Sequence, residues 1–266
     1  MTANSEILFP LKKVLLIDIG GTNLRSAIAD IGTSDLLNPQ KVITSNLDSF
    51  DDIVQSFLTE EPSIDHIVFS VAGPKINNSI TMTNREFTLN ADEVLQRFNL
   101  SSCHVLNDWE SIGYSLSLIR SDEMTCLSQG YKFNDTALII GPGTGLGASL
   151  VISDDIVLPT EIGNSILSIE SLMVSSALQA SKNFNVIEDL ISGKGISNIY
   201  RHFSGVDKSS EDILLAYEDD ELARKSIDQF LISLAQFLSE LALAYIPGNG
   251  IYLAGGLMRS LRSLII

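Results

Sequence analysis

The sequence predicts an α/β protein of two lobes with a cleft between them. Two observations carry this. Short apolar runs of strand type end at glycines and alternate with helical patterns, and one unit (strand, glycine-rich turn, strand) occurs twice. The 266 residues, 45% of them hydrophobic, suffice for more than one compact core. No low-complexity linker separates the halves. The expected boundary follows Asp108, giving a smaller domain over 1–108 and a larger one over 109–266.

Lys13–Asp18 (KVLLID) reads as a buried central strand, and Leu24–Asp30, after Gly20-Gly21-Thr22-Asn23, as its hairpin partner. Residues 51–60 carry a helical pattern that stops at Glu61-Pro62. Asp65–Val71 is another buried strand, closed by Ala72-Gly73-Pro74. Asn90 is placed to cap a helix running to Phe98. Cys103–Leu106 is a strand leading into Asn107-Asp108, with a helix over Trp109–Ile119. The hairpin theme then returns as strand Thr136–Ile140, a turn from Gly141 to Gly147, and strand Ala148–Ile152. Beyond Ser168 helices are expected over 169–180, 186–192, 196–203, 210–217 and 221–244. Gly250–Ala254 is a last strand, ending at Gly255-Gly256.

Composition removes several classes of function. Acids outnumber Lys and Arg by 33 to 17, a formal charge of −16, so no cationic excess exists to displace counterions from nucleic acid or to grip anionic lipid. Neither partner is expected. Cys103 and Cys126 lack CxxC spacing and read as two buried thiols, not as a disulfide or a thiolate zinc site. His66, His104 and His202 have no metal-ligand spacing. Residues 1–10 lack the basic and apolar regions of a signal peptide. Apolar runs such as 14–17 and 237–246 are too short or too interrupted to span a bilayer, so a cytoplasmic location is expected.

Three segments can carry chemistry. In Asp18-Ile-Gly-Gly-Thr-Asn-Leu-Arg25 the glycine pair lets backbone N–H groups approach a phosphate, because no Cβ intervenes. Asp18 can hold Mg²⁺ through water and Thr22 can donate to a phosphate oxygen. A tight hairpin alone explains the glycines, but an acid ending a buried strand is costly without a partner. Gly141-Pro-Gly-Thr-Gly-Leu-Gly147 reads as a second cradle with Thr144 as hydroxyl donor, or as a flexible hairpin. Asn107-Asp108 lies at a strand's carboxyl end, where α/β proteins place ligands. Asp108 there is either a base for a hydroxyl nucleophile or merely a helix cap.

The order DIGGTNLR, MTN (Met82–Asn84), LND (Leu106–Asp108), GPGTGLG, PTEIGN (Pro159–Asn164), EDLISGKGISNIYR (Glu188–Arg201) and YLAGG (Tyr252–Gly256) resembles bacterial-type glucokinase, from about residue 13 to the end. The resemblance implies the two-lobed, ribonuclease-H-like fold of the hexokinase–actin–Hsp70 superfold, and transfer of phosphate from ATP to a hexose, glucose foremost. It implies Asp18 as the Mg²⁺-linked acid, and Gly20, Gly21, Thr22 and Asn23 with Gly143, Thr144 and Gly145 at the ATP phosphates. Gly255 and Gly256 would adjoin adenosine. Asn107 would bind sugar, Asp108 would be the catalytic base, and Glu161, Asn164 and Glu188 would hold ring hydroxyls. A homodimer is an open option.

Two departures stand out. The family reads E-G-G-H where this sequence has Glu161-Ile162-Gly163-Asn164, so an amide replaces an imidazole and a β-branched residue replaces a glycine. Family members also continue past Ala-Gly-Gly with a helix returning to the small domain, whereas this sequence ends at Ile266; a truncation and a minimal version both fit. Two rival readings follow. One is a sugar binder of the same fold with little or no turnover. The other is an actin- or Hsp70-like ATPase, which leaves Glu161, Glu188 and Ser192-Gly193 without a task. Trp109 reads as packing and Glu218–Glu221 as a solvated helix start.

Overall fold

Leu15, Ile17 and Ile19 alternate with half-buried neighbours along β1 (Lys13–Ile19), the period that puts every second side chain on one face of a sheet. The computed structural model describes residues 12–20, 23–43, 50–82, 87–166, 171–173, 178 and 184–265. It divides into two compact units, Met1–Ser111 and Ile112–Ile266, each with its own sheet and apolar core.

In the first unit β1 pairs antiparallel with β2 (Asn23–Asp30), which pairs antiparallel with β3 (Leu36–Ile43). The helix α1 (Phe50–Glu60) buries Phe50, Val54 and Phe57, and leads to β4 (Ile64–Val71), parallel to β1. A small antiparallel sheet follows, made of β5 (Lys75–Ile76), β6 (Ser79–Thr81) and β7 (Thr88–Asn90). Asn90 Oδ1 accepts the N–H groups of Asp92 and Glu93 at 2.9 and 3.0 Å, which starts α2 (Ala91–Arg97). The crossover ends in β8 (Ser102–Asn107), parallel to β4, completing the order β3-β2-β1-β4-β8. Then comes α3 (Asp108–Ser115), which runs across the division between units.

The second unit repeats this plan. β9 (Ala137–Pro142), buried in every residue, pairs antiparallel with β10 (Leu146–Ser153). β10 pairs antiparallel with β11 (Ile156–Thr160), and β12 (Gly250–Leu253) lies parallel to β9. The order β11-β10-β9-β12 matches β3-β2-β1-β4 in position and sense, so the two glycine hairpins occupy equivalent places. Around this sheet lie α4 (Gly193–Ser204), α5 (Ser210–Leu215), α6 (Glu221–Tyr245) and α7 (Gly256–Ile265). Asp220 starts α6 by accepting the N–H groups of Leu222 and Ala223 at 2.9 and 3.2 Å, so the acidic run does begin a helix.

Several expectations need correction. The 25 residues of α6 are long and apolar enough to cross a membrane, longer than the run first read there. Its apolar face is the stripe Ala223, Ile227, Phe230, Leu234, Phe237 and Leu241, buried in the unit's core at heptad spacing, as a core helix requires. The helix expected over 186–192 is only a turn, Ile187–Asp189. Asp189 turns back onto the N–H groups of Asn185 and Val186, and extended Ser192 starts the next helix at Gly193, three residues before its expected start. The helix after Asp108 ends at Ser115 in a tighter turn, Leu116–Leu118, and α7 extends beyond the final glycines. Cys103 is buried as expected, and burial with the Asp92 charge pushes its thiol up to about 12; Cys126 is exposed. Of the helix expected over 169–180, only 171–173 and 178 are among the described residues.

Gly73 closes β4 at φ +150°, and a Cβ there would stand 2.4 Å from the Thr81 carbonyl oxygen. Gly73→Ala should therefore cost about 1–3 kcal/mol, read as a lower urea midpoint with unchanged m-value. An unchanged midpoint would show that the turn relaxes freely.

Candidate active site

Asp18 stands opposite Arg25 in the β1–β2 register, and Arg25 Nη1 donates to Asp18 Oδ2 at 3.0 Å. The Asp18 side chain is 38% exposed. It is thus neither unpaired nor fully buried, and the sequence-level cost of an unpaired buried acid does not apply. Gly20 N–H donates to the Asn23 carbonyl at 2.9 Å, closing the turn. Gly21 and Thr22, both expected at the phosphates, lie outside the described residues. No cluster of three His, Cys, Asp or Glu occurs among the described residues. A single carboxylate of this kind suits a metal that brings most of its ligands as water and phosphate, as Mg²⁺ does.

At the end of β8 the cap is Asn107, not Asp108. Asn107 Oδ1 accepts the N–H groups of Trp109 and Glu110 at 2.9 and 3.3 Å. Glu110 Oε2 reaches back to the Asn107 N–H at 3.1 Å, a reciprocal capping box. Asn107 Nδ2 donates to the Gly73 carbonyl at 2.8 Å. Lys75 Nζ donates to both Glu110 oxygens, at 3.0 and 3.2 Å. Asp108 is the first residue of α3, and its Oδ1 accepts the Trp109 N–H at 3.0 Å.

In the second unit Gly143 N–H donates to the Gly145 carbonyl, and the Gly143 carbonyl accepts from Gly193 N–H, both at 2.8 Å. Open space lies where a Gly143 Cβ would point, and Thr144 is exposed, so this turn presents backbone to solvent. Leu146 is where two acidic segments meet the turn. Its N–H donates to Glu188 Oε2 at 3.3 Å, and its carbonyl oxygen would stand 2.5 Å from a Cβ on Gly163. A Cβ on Gly145 would stand 2.7 Å from the same Glu188 oxygen. Asn164 Nδ2 donates to Glu161 Oε2 at 3.1 Å, and Ile187 N–H donates to the Ser165 carbonyl at 2.9 Å. The structure therefore brings Gly143, Gly145, Glu161, Asn164 and Glu188 into one connected group. Gly255 follows β12 at φ +100°, beside the Pro142 carbonyl at the mouth of the same turn, and Gly256 opens α7.

Ser192 fixes the Glu188 segment. Its hydroxyl, fully buried, donates to the Glu188 carbonyl at 2.6 Å and accepts from Gly195 N–H at 3.0 Å. Burial would raise the Asp189 carboxyl, but Lys194 Nζ at 2.8 Å and the N–H groups of Asn185 and Val186 outweigh it and hold the group below its ordinary range. Sequence reasoning missed Glu110, Lys75 and the part played by Leu146. The N-x-x-E spacing of Asn107 and Glu110 was the signal available for the first.

The glucokinase family profile matches residues 15–266. A glucokinase of Mesorhizobium japonicum is 26% identical over 97% of this chain and 80% of its own length. A glucokinase structure from an Antarctic psychrotroph superposes with a TM-score of 0.77 at 23% identity, covering 96% of this chain and 86% of that one. A Balamuthia mandrillaris glucokinase solved in complex with glucose gives 0.67 at 21% identity, covering 96% and 84%. Fold and relatives together define a hexose kinase of the actin–hexokinase type, in place of the ATPase reading. The chain belongs to the glucokinase family.

Because the folded Asp189 carboxyl sits below its ordinary value of 3.8, its ionisation adds stability above that pH, and the gain is lost as pH falls through the folded value. Asp189→Asn should lower the urea midpoint at pH 7, with the gap from wild type closing at low pH. A gap independent of pH would sink the assignment.

Proposed function

We propose that the protein transfers the γ-phosphoryl group of ATP to the 6-hydroxyl of a hexose, with glucose the first substrate to test. The observation that carries this reading is the convergence on Leu146, with Glu188 on its N–H at 3.3 Å and Gly163, two residues past Glu161, against its carbonyl. A glycine turn able to cradle phosphate and two carboxylates suited to ring hydroxyls thereby share one backbone segment. Glucose is chosen because the relatives are named glucokinases.

In the proposed reaction Asp108 takes the proton of the 6-hydroxyl as that oxygen forms its bond to the γ-phosphorus. The bond from phosphorus to the β,γ-bridging oxygen breaks, and ADP leaves. Glu161, Asn164 and Glu188 hold the remaining hydroxyls. Asn107 contributes only a second Nδ2 hydrogen, since its oxygen is committed to the cap and its other N–H to Gly73. Gly20, Gly21, Thr22 and Asn23, with Gly143, Thr144 and Gly145, are assigned to the phosphates, and Gly255 and Gly256 to adenosine. Mg²⁺ bound with ATP supplies charge neutralisation at the transferred group. Asp18 is the residue that would hold it, through water, while Arg25 fixes the carboxylate.

Asn164, where the family has an imidazole, gives one of its two Nδ2 hydrogens to Glu161, which leaves the other hydrogen and the carbonyl oxygen for sugar. The reading expects either a raised KM for glucose or relaxed discrimination among hexose epimers.

A coupled assay of ADP release across a panel of hexoses tests the reaction. Asp108→Asn should lower kcat by about 10²–10⁴ with the fold intact; wild-type turnover would remove Asp108 from the mechanism. Asn164→His should lower the KM for glucose by a factor corresponding to about 1–3 kcal/mol. An unchanged KM would detach position 164 from sugar recognition.

A further inference from the structure

We propose that Glu110, held by Lys75, is a positioning residue for Asp108: its carboxylate fixes the Asn107–Asp108 turn in the orientation that proton transfer needs. This rests on Asp108 being the base. Glu110 is an unusual capping residue. Its side chain is only 6% exposed, and Lys75 comes from β5, 35 positions earlier in the chain, to bind both of its oxygens. The reciprocal bonds of a capping box require no counterion, whereas burying a carboxylate is costly unless it is paired and hydrogen-bonded.

The contacts form a closed frame. Glu110 Oε2 accepts the Asn107 N–H at 3.1 Å and Asn107 Oδ1 accepts the Glu110 N–H at 3.3 Å. Asn107 Nδ2 holds the Gly73 carbonyl at 2.8 Å, two residues before Lys75, which returns to Glu110. Asp108, with Trp109, lies between the two residues that close the frame, and directly follows Asn107. Its backbone direction is set by the last peptide of a buried strand and by two side chains pinned to the Gly73–Lys75 segment. Catalytic geometry tolerates little error, since a displacement of about 1 Å can cost about 10²-fold in rate. A frame of this kind acts on the chemical step, not on nucleotide affinity.

Two double variants separate the acceptor from the ion pair. Lys75→Met/Glu110→Leu removes the pair and the acceptor without leaving a lone buried charge, while Lys75→Met/Glu110→Gln removes the pair but keeps an oxygen for the Asn107 N–H. With glucose and ATP, the leucine variant should lose about 10² in kcat with the KM for ATP held within about threefold. The glutamine variant should recover at least tenfold of that loss. Equal kcat in the two folded doubles would overturn the proposal, as would a loss carried by the KM for ATP. Should the leucine variant fail to fold, Glu110→Asp serves: it keeps the charge for Lys75 but withdraws the oxygen by one carbon, so kcat should still fall about tenfold, and a wild-type kcat overturns the role. Asp108→Asn, measured alongside, distinguishes the two claims. Turnover retained there removes the base and everything Glu110 could position; turnover lost there, with equal kcat in the doubles, overturns the positioning role alone.

Discussion

The turn from Glu188 to Gly195 is the constraint on which the larger unit's site depends. A single buried hydroxyl, Ser192 Oγ, closes the Glu188 carbonyl on one side and opens α4 on the other. The next residue, Gly193, donates its N–H to Gly143 at the head of the glycine turn. Helix start, acidic side chain and candidate phosphate loop are therefore one hydrogen-bonded unit. Gly195 belongs to it as well, because a Cβ there would stand 2.3 Å from the Leu190 carbonyl oxygen. The sequence SGKG is dictated at its first and last positions by capping and packing before any ligand is considered.

The same logic of short-range bonds fixing long-range chemistry recurs in the smaller unit. There the strand end Asn107 spends its side chain on holding α3 and the Gly73 turn, which leaves Asp108 as the residue whose direction is set by others. Each unit places its candidate site residues where a strand runs out: Asp18 near the end of β1, Asn107 at the end of β8, and the glycine turn after β9. Repetition of the four-strand plan explains why the two glycine hairpins correspond, since each lies between the central strand and its first antiparallel neighbour.

The strands β1, β4, β8 and β9 and the long helix α6 were legible because period and burial agree there: the strands are apolar runs, and α6 keeps its stripe at heptad spacing. The edge strands β3 and β11 were not. Each contains a proline, Pro39 and Pro159, which reads as a breaker but is tolerated where one side of a strand has no partner. The short strands of the β5-β6-β7 sheet offered too few residues for any period to register. At the site, the residue types were readable from glycine and acid spacing. Which of Asn107 and Asp108 caps the helix was not readable, because both side chains can do so. The Lys75–Glu110 pair spans 35 positions and no local pattern announces it.

The central claim is that Glu188, through the Leu146 N–H, joins sugar recognition to the phosphate turn. A sugar that fixes the Glu188 carboxylate should pre-order that turn, and ordering already supplied by one ligand strengthens the second. The most direct measurement is the calorimetric Kd of a non-hydrolysable ATP analogue with and without saturating glucose. The account predicts at least about fivefold tighter binding in the presence of the sugar. An identical Kd in both conditions would contradict it.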